Sequence, residues 1–430
     1  MTKKKTFSVV LMLFLILPKL ISFNLFFFLL LGYVSFQLLF RRIPFSRSIF
    51  FKVLVLMSVI LISFISYLYT LKNSSSDAIR DIIYMFYPIL LILAGYIWVL
   101  KTQNITTLLR TIVLSGVALS TIHIFKLLIN PTVLTESIRA IRIELGNGYN
   151  LSVISMSILI YSNYYKIRIF EKRLVSVLCI FICTLSFVLA LSRTLTIVLV
   201  IFLLFLGWKK VIKINKFSAK KIHLQISILM CSAIIVSGLI YQVAPSKVVT
   251  QLGEKFSSSF NEIKMDNYST ITDINHNWRG YEGFRALKEY NNYDTFGKIV
   301  GGGLGKLIDL NLTISLAGKQ YSKVPIIHNG YMYIIVKSGM VGIFLYLLYI
   351  YSIVRTGIYS SKASLKGYDF IGRLTMAIGI TILIITYFNT GMYKPDSAYD
   401  YLLIIGCFEG CLYLMGKNSI NQEIKHPLAS

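Results

Sequence analysis

The chain has 430 residues, of which 56% are hydrophobic, and its mean hydropathy is +0.69. Apolar runs of about 20 residues, each able to cross a hydrocarbon core of about 30 Å, recur along it; they exclude an ordinary soluble domain and predict a polytopic helical membrane protein. The formal net charge of +26 does not require a nucleic-acid partner, because cytoplasmic loops of membrane proteins carry an excess of lysine and arginine.

Twelve apolar segments are expected to form membrane-spanning helices. They cover residues 7–22, 24–40, 51–71, 82–100, 108–129, 150–165, 174–191, 194–208, 223–243, 329–354, 371–391 and 399–416. The predicted fold is an all-α polytopic membrane protein with about 12 transmembrane helices and one large extracytoplasmic loop between helices 9 and 10. Residues 1–243 would contain helices 1–9, residues 244–328 the loop, and residues 329–430 helices 10–12 and a cytoplasmic tail.

The distribution of charge agrees with this topology when the N-terminus is placed in the cytoplasm. The predicted inner segments and adjoining helix ends collect 25 of the 44 basic residues, but only Glu171, Asp369 and Glu423 among the 18 acidic ones. The inner side therefore carries +22 and the rest of the chain +4. This asymmetry predicts that both termini are cytoplasmic, and it favours contact with anionic membrane lipids over nucleic acid.

Basic side chains also occur near the outer ends of predicted helices. Arg142 shortly precedes the helix that opens at Asn150, and Arg193, in "LSRT", occupies a turn between two apolar helices with almost no loop. A charge at such a position is costly unless it meets a partner, so Arg193 is a candidate functional residue. The alternative is an arginine whose side chain snorkels to the membrane surface.

The predicted outer loop, residues 244–328, is far longer than a connection between helices requires. Its ten basic and eight acidic residues nearly balance, which indicates a folded element with a function. Arg279 and Arg285 lie in its stretch "NHNWRGYEGFRALKEYNNY". Four apolar residues of that stretch have helical spacing and predict a helix at the membrane surface: Trp278, Tyr281, Phe284 and Leu287.

Glycines follow in two places. The cluster "FGKIVGGGLGK", residues 296–306, is interpreted either as a tight turn or as a site where the backbone closely approaches a substrate. Helix 10 opens with His328 and Asn329, which would face a reaction site. Gly339 and Gly342, further along, are expected to let this helix pack closely against a neighbouring helix.

Two charges fall inside predicted spans. Lys337 and Glu409 each lie nine or ten residues from the outer end of their helix, or about 15 Å deep at 1.5 Å per residue. Because isolated charges at that depth are costly, the two are expected to form an ion pair.

The outer arginines together with His328 suggest a chemistry. Guanidinium groups match phosphate oxygens bidentately and stay charged, so a group of them at membrane level suits the pyrophosphate of a carrier lipid. A neighbouring histidine can accept or pass a proton near neutral pH. The loop lacks an Asp-x-Asp motif, and no histidine or carboxylate spacing completes a metal site. We therefore predict metal-independent, cofactor-independent transfer of a polyprenyl-pyrophosphate-linked glycan.

The arrangement resembles the superfamily of O-antigen polymerases (Wzy-type) and O-antigen ligases, enzymes of the bacterial cell envelope. The resemblance rests on the many spans, the mid-chain "LSRT", and the late outer loop with "NWRGYEGFRAL" and "GGGLG", followed by "HNGYMYIIVKSGMVG". It implies a multi-pass enzyme of the bacterial cytoplasmic membrane. Its substrates would be lipid-linked oligosaccharides, and its partner protein would be a chain-length regulator.

The resemblance also implies residue roles. Arg193 and Arg279 would hold the donor's pyrophosphate, and His328 would activate or orient the acceptor hydroxyl, which makes these three the expected catalytic residues. Three further residues are expected to bind pyrophosphate or glycan: Arg142, Arg285 and Asn329.

Three functions remain open at this stage. The first is a repeat-unit polymerase for O-antigen or capsule, which transfers a lipid-linked glycan to a sugar hydroxyl of another lipid-linked unit. The second is a ligase, which uses the same chemistry on a different acceptor. The third, a flippase or other secondary transporter, should show repeat symmetry and polar groups near the membrane midplane. Richness in Ile, Lys, Asn, Tyr and Phe suggests an AT-rich gene. Such genes are common in surface-polysaccharide clusters, which favours the polymerase.

Overall fold

The computed structural model describes most of the chain. The described residues are 2–70, 73–135, 138–146, 148–207, 262, 264–266, 268, 270–316, 319–362 and 367–425. Fifteen α-helices and one two-stranded sheet occur within them.

The helices are numbered in chain order. They are α1 (Thr2–Ile16), α2 (Phe23–Phe40), α3 (Arg47–Thr70), α4 (Ser75–Thr102), α5 (Ile105–Ile129), α6 (Ile138–Glu144), α7 (Asn150–Ser162), α8 (Arg173–Leu189), α9 (Arg193–Gly207), α10 (Ile271–His276), α11 (Trp278–Asn291), α12 (Thr295–Val300), α13 (Gly330–Lys362), α14 (Tyr368–Phe388) and α15 (Tyr399–Lys425). The strands β1 (Ile308–Leu316) and β2 (Lys319–Val324) lie between α12 and α13.

The helices confirm a multi-pass helical membrane protein. Among the described residues, seven helices are long and apolar enough to cross a membrane: α2, α3, α4, α5, α13, α14 and residues Tyr399–Lys417 of α15. Four shorter apolar helices lie at Ser8–Lys19, Asn150–Ser162, Arg173–Leu189 and Arg193–Gly207. The predicted helix at 223–243 lies outside the described residues, as does the beginning of the predicted loop, so the twelve spans stay a prediction.

A short β-hairpin accompanies the helices in the part of the chain that the structure describes. β1 and β2 pair antiparallel, with Ile308 opposite Val324. Ile308 and Leu310 are buried while Asp309, between them, is partly exposed. This alternation has the period of two that a half-buried strand requires. The signal is present in "IDLNLTI" but is short beside the helical patterns around it.

The predicted helix around Arg279 is confirmed as α11. Its buried residues are Gly280, Tyr281, Glu282, Gly283 and Ala286. The apolar spacing predicted that Phe284 would be on the buried face, but the carboxylate of Glu282 is buried there and Phe284 is not. Two side chains fasten the hairpin to this helix. Tyr281 Oη donates to Leu310 O at 2.6 Å, and Arg285 Nε donates to Asp309 O at 3.0 Å.

The glycine cluster after α12 is wedged against the membrane helices. Leu304 N donates to Ser63 O of α3 at 3.1 Å, and Asn73 Nδ2 donates to Gly302 O and Leu304 O at 2.8 and 2.9 Å. Gly301 has φ +84°, and a Cβ there would lie 2.4 Å from the backbone of α13 at Lys337. Of the two interpretations, the structure supports the tight turn, because these glycines contact the protein's own helices.

A break in α13 receives this turn. Gly339 has φ +63° and ψ −162°, a conformation outside the helical region. The carbonyl groups just before Gly339 therefore lack their usual hydrogen bonds within the helix. Gly302 N donates to Val336 O at 2.7 Å, and Gly303 N donates to Lys337 O at 3.1 Å, which satisfies those carbonyls. The expected close packing at Gly339 therefore occurs, against Ile299 of the short helix α12 and Gly301 of the glycine turn.

Gly339→Ala should reduce the amount of folded protein and lower its melting temperature. The new Cβ would stand 2.3 Å from Ile299 O, and the backbone conformation is strained for any residue with a side chain. Gly32→Ala in α2 is the matched control, because its Cβ would meet no atom within 4 Å and alanine favours a helix by about 0.5–1 kcal/mol. Thermal unfolding in detergent distinguishes them; equal melting temperatures for the two variants would contradict this account.

The expected ion pair between Lys337 and Glu409 is wrong. Lys337 Nζ pairs instead with Asp81 Oδ2 of α4, and both side chains are fully buried. Glu409 Oε1 lies 2.9 Å from Lys52 Nζ of α3. The helix-depth argument overlooked Asp81 and Lys52, which lie near the ends of their helices yet are covered by neighbouring elements.

The Asp81 pair also ties the glycine turn to the bundle. Asp81 Oδ2 accepts a hydrogen bond from Gly305 N at 2.7 Å, and Lys337 Nζ donates to Lys306 O at 3.0 Å. A buried carboxylate and a buried ammonium thus share their remaining hydrogen-bonding capacity with the turn's backbone. This satisfies groups that would be costly to bury alone.

Candidate functional site

A cavity of about 280 Å³ lies where several membrane helices begin or end. Its walls come from the segment after α1, the beginnings of α7, α9 and α15, the end of α14, and α11. Five basic side chains line it: Lys19, Arg142, Arg193, Arg279 and Lys394. Two acidic ones, Asp396 and Asp400, and His328 also line it. The basic residues are in excess, so the cavity suits an anion.

Arg142, at the basic end of α6, reaches the turn between α8 and α9. One of its terminal nitrogens, Nη2, donates to Leu191 O. Leu191 has φ +46°, an uncommon left-handed conformation for a residue with a side chain. Arg142 Nε is buried and has no hydrogen-bond partner within the described ranges. A buried donor of this kind calls for a ligand or a water molecule.

Arg193 is the first residue of α9, and it lines the cavity. Its guanidinium nitrogen Nη2 forms an ion pair with Glu262 Oε2. The expected partner for this costly charge therefore exists, but it is a carboxylate from the segment before α10. An arginine held in this way is aimed and only partly exposed, at 19% of its side chain. This orientation agrees with a functional position better than with a snorkelling side chain.

Arg279 enters the cavity from α11. Burial lowers the pKa of its guanidinium, Glu262 opposes that shift, and Arg193 adds to it. Burial likewise lowers the pKa of Arg142, and the charges of Arg193 and Arg279 lower it further. Arginine stays protonated despite such shifts. The neighbouring arginines contribute to both shifts, so an anion bound among the three would offset their mutual repulsion.

His328 borders the same cavity, just before α13 begins, and its orientation is set by Glu282. Nδ1 lies 2.7 Å from Glu282 Oε2, and the backbone N–H of His328 donates to the same oxygen at 2.9 Å. Trp278 Nε1 donates to Glu282 Oε1 at 2.8 Å. The imidazole keeps 36% of its surface exposed, whereas the Glu282 carboxylate is 5% exposed.

Four of the six predicted site residues therefore meet: Arg142, Arg193, Arg279 and His328. The other two do not line the cavity. Asn329 Oδ1 accepts from the backbone N–H groups of Tyr331 and Met332, both at 3.1 Å, and so caps α13. Arg285 points to the hairpin, as described above. Both side chains hold the local fold, and their role in substrate binding stays a prediction.

Sequence reasoning missed the opposite wall of the cavity. It is formed by Lys19, after α1, and by the segment between α14 and α15, which contains Lys394 and Asp396. Asn150 Nδ2 donates to Asp400 Oδ1 and to Ser397 O, both at 3.3 Å, and so links α7 to this wall. The available signal was the density of polar residues in "NTGMYKPDSAYD" between two predicted spans.

The cavity combines two chemical functions. Three guanidinium groups can bind and neutralise phosphate oxygens, and an imidazole oriented by a carboxylate can accept a proton. Amide, hydroxyl and carboxylate groups on the opposite wall can hydrogen-bond to sugar hydroxyls. No family model matches this sequence, and no curated protein matches it either.

Proposed function

We propose that this protein is a membrane glycosyltransferase, a repeat-unit polymerase for O-antigen or capsule. It would transfer a polyprenyl-pyrophosphate-linked glycan to a sugar hydroxyl of another lipid-linked repeat unit at the outer face of the cytoplasmic membrane. The single observation that carries the proposal is the meeting of Arg142, Arg193, Arg279 and His328 in one cavity at the ends of membrane helices. A lipid-linked substrate would have its pyrophosphate at such a height.

In the proposed reaction the acceptor's hydroxyl oxygen bonds to the anomeric carbon of the donor sugar. The bond from that carbon to the pyrophosphate oxygen breaks, and the polyprenyl pyrophosphate leaves with the electron pair. The hydroxyl proton passes to the imidazole of His328. The arginines stabilise negative charge as it develops on the leaving group, which is the largest single contribution in many enzymes.

The position of the cavity supports transfer chemistry over transport. A secondary transporter would bind its substrate near the membrane midplane between repeated halves. Here the basic residues lie at helix ends, beside a folded element made of α11, α12 and the hairpin. A ligase would use the same groups. It differs from a polymerase in the acceptor to which the glycan is transferred.

Deletion of the gene, followed by gel electrophoresis of surface polysaccharide, tests the proposal. We expect single repeat units on the surface acceptor in place of a ladder, with full complementation by the wild-type gene. Polymer retained on its carrier lipid would identify a ligase instead. Single units confined to the inner face would identify a flippase, and an unchanged ladder would contradict all three.

A further inference from the structure

Glu282 has no role in the activity proposed above, yet its carboxylate contacts both the backbone N–H and the ring of His328. We infer that Glu282 is the positioning residue of a Glu282–His328 pair, which directs the imidazole Nε2 towards the acceptor hydroxyl. This inference deepens the proposed function and rests on it. A carboxylate on α11 would thus orient the proton-accepting histidine, which lies just before α13 in the chain.

Burial and satisfaction of the carboxylate argue for this role. Glu282 is 4% exposed, and each of its oxygens accepts at least one hydrogen bond. A carboxylate that has lost contact with water is costly unless such bonds replace it. Two of them come from one residue, His328, through its backbone N–H and its ring. The carboxylate therefore fixes both the backbone and the ring of His328.

The contact also decides which ring nitrogen carries hydrogen. An ionised carboxylate only accepts hydrogen bonds, so the neutral imidazole must donate from Nδ1 at 2.7 Å. Nε2 then holds the lone pair, and it has no hydrogen-bond partner in the part of the chain that the structure describes. His328 lines the cavity and is one-third exposed. The nitrogen able to accept a proton is thus the free one.

A structural purpose alone does not explain the arrangement. Trp278 Nε1 and the backbone N–H of His328 would give a buried glutamate two of its partners. The third bond is to an ionisable ring at the edge of a cavity that contains three arginines. When Nε2 takes the hydroxyl proton, the ring becomes a cation, and the adjacent carboxylate stabilises it. The same helix supplies Arg279, three residues earlier, for the leaving group.

Two glutamate variants separate orientation from charge. In Glu282→Gln, the amide oxygen can still accept from Nδ1, so the ring keeps its orientation but loses the stabilising charge. In Glu282→Ala, both are lost. Glu289→Gln is the matched control, because Glu289 lies on the same helix but pairs with Lys306 at 2.6 Å.

Carbethoxylation of the purified full-length protein with diethyl pyrocarbonate, followed by peptide mass spectrometry, shows how many ring nitrogens of His328 are free to react. We expect one group on His328 in the wild type and in Glu282→Gln, and two in Glu282→Ala, where Nδ1 becomes free. His123 is fully buried, so it should stay unlabelled in every folded variant. Single labelling of His328 in folded Glu282→Ala would overturn the inference.

Transfer is measured with lipid-linked repeat units extracted from the deletion strain. Glu282→Gln should lower the rate by about 100-fold, within the usual contribution of acid–base catalysis, while Glu289→Gln stays near the wild type. A Glu282→Ala protein with the wild-type rate would overturn the role in positioning, and a Glu282→Gln protein with the wild-type rate would overturn the role of the carboxylate's charge. If the wild type shows no transfer, the proposed function fails, and the labelling pattern still decides how the ring is held.

Discussion

Replacing Arg279 by alanine should lower the rate of glycan transfer by about 100- to 1,000-fold, the usual cost of removing one preorganised group that stabilises developing charge. Arg279 lines the cavity and makes no hydrogen bond or ion pair with another described residue. Its loss should therefore disturb the fold little and the binding of phosphate strongly. Arg279→Lys should recover only part of the activity, because an ammonium cannot bind two phosphate oxygens as a planar guanidinium does.

Arg285→Ala is the matched control for this prediction. Both arginines belong to α11, but Arg285 Nε bonds to Asp309 O of the hairpin and lies outside the cavity lining. Its removal should cost about 1 kcal/mol of stability, the value of one hydrogen bond, and leave the rate of transfer near the wild type. Rates come from extracted lipid-linked units, and membrane levels from immunoblots. Equal losses in the two variants would refute a special role for the cavity arginines.

Replacing Lys337 by methionine should destabilise the protein by about 3–5 kcal/mol, because it leaves the buried carboxylate of Asp81 without its counter-charge. Lys337 and Asp81 are both fully buried. The same carboxylate anchors Gly305 N, so the glycine turn should loosen with it. The measurements are the melting temperature in detergent and the yield of monodisperse protein.

A double variant tests whether the missing charge partner is the cause. Lys337→Met with Asp81→Asn leaves a neutral amide whose oxygen can still accept from Gly305 N, so it should recover part of the lost stability. Lys323→Met on β2 controls for the loss of a lysine, because that side chain is exposed. A double variant that is no more stable than Lys337→Met would show that the charge partner is not the reason.

Part of the site could be predicted from the sequence because a charge between two apolar runs with almost no loop around it is uncommon. Arg193 stood out between two apolar runs, and His328 stood at the entry to another. The helix around Arg279 was predictable from its apolar spacing. Each of these signals is local, since it needs only the residue and its neighbours along the chain.

Contacts between distant segments could not be predicted in the same way. Lys337 was expected to pair with Glu409, yet each has a different partner, Asp81 and Lys52. Depth along a helix gives the height of a charge but not the face on which it lies or the helix beside it. Glu282 was missed for the same reason, because its carboxylate sits on an amphipathic helix where charged residues usually face water.

The sequence by itself determined that this is a multi-pass helical membrane protein, because apolar length and the cost of burying backbone polar groups leave few other structures in a bilayer. It also placed the arginines near helix ends. Only the tertiary structure decided which of these charges share a cavity, which carboxylates hold them, and how the glycine turn enters the break at Gly339. The physical reason is that ion pairs and hydrogen bonds between helices require contact within a few ångströms. The length of an apolar run, in contrast, is a property of one segment of the sequence.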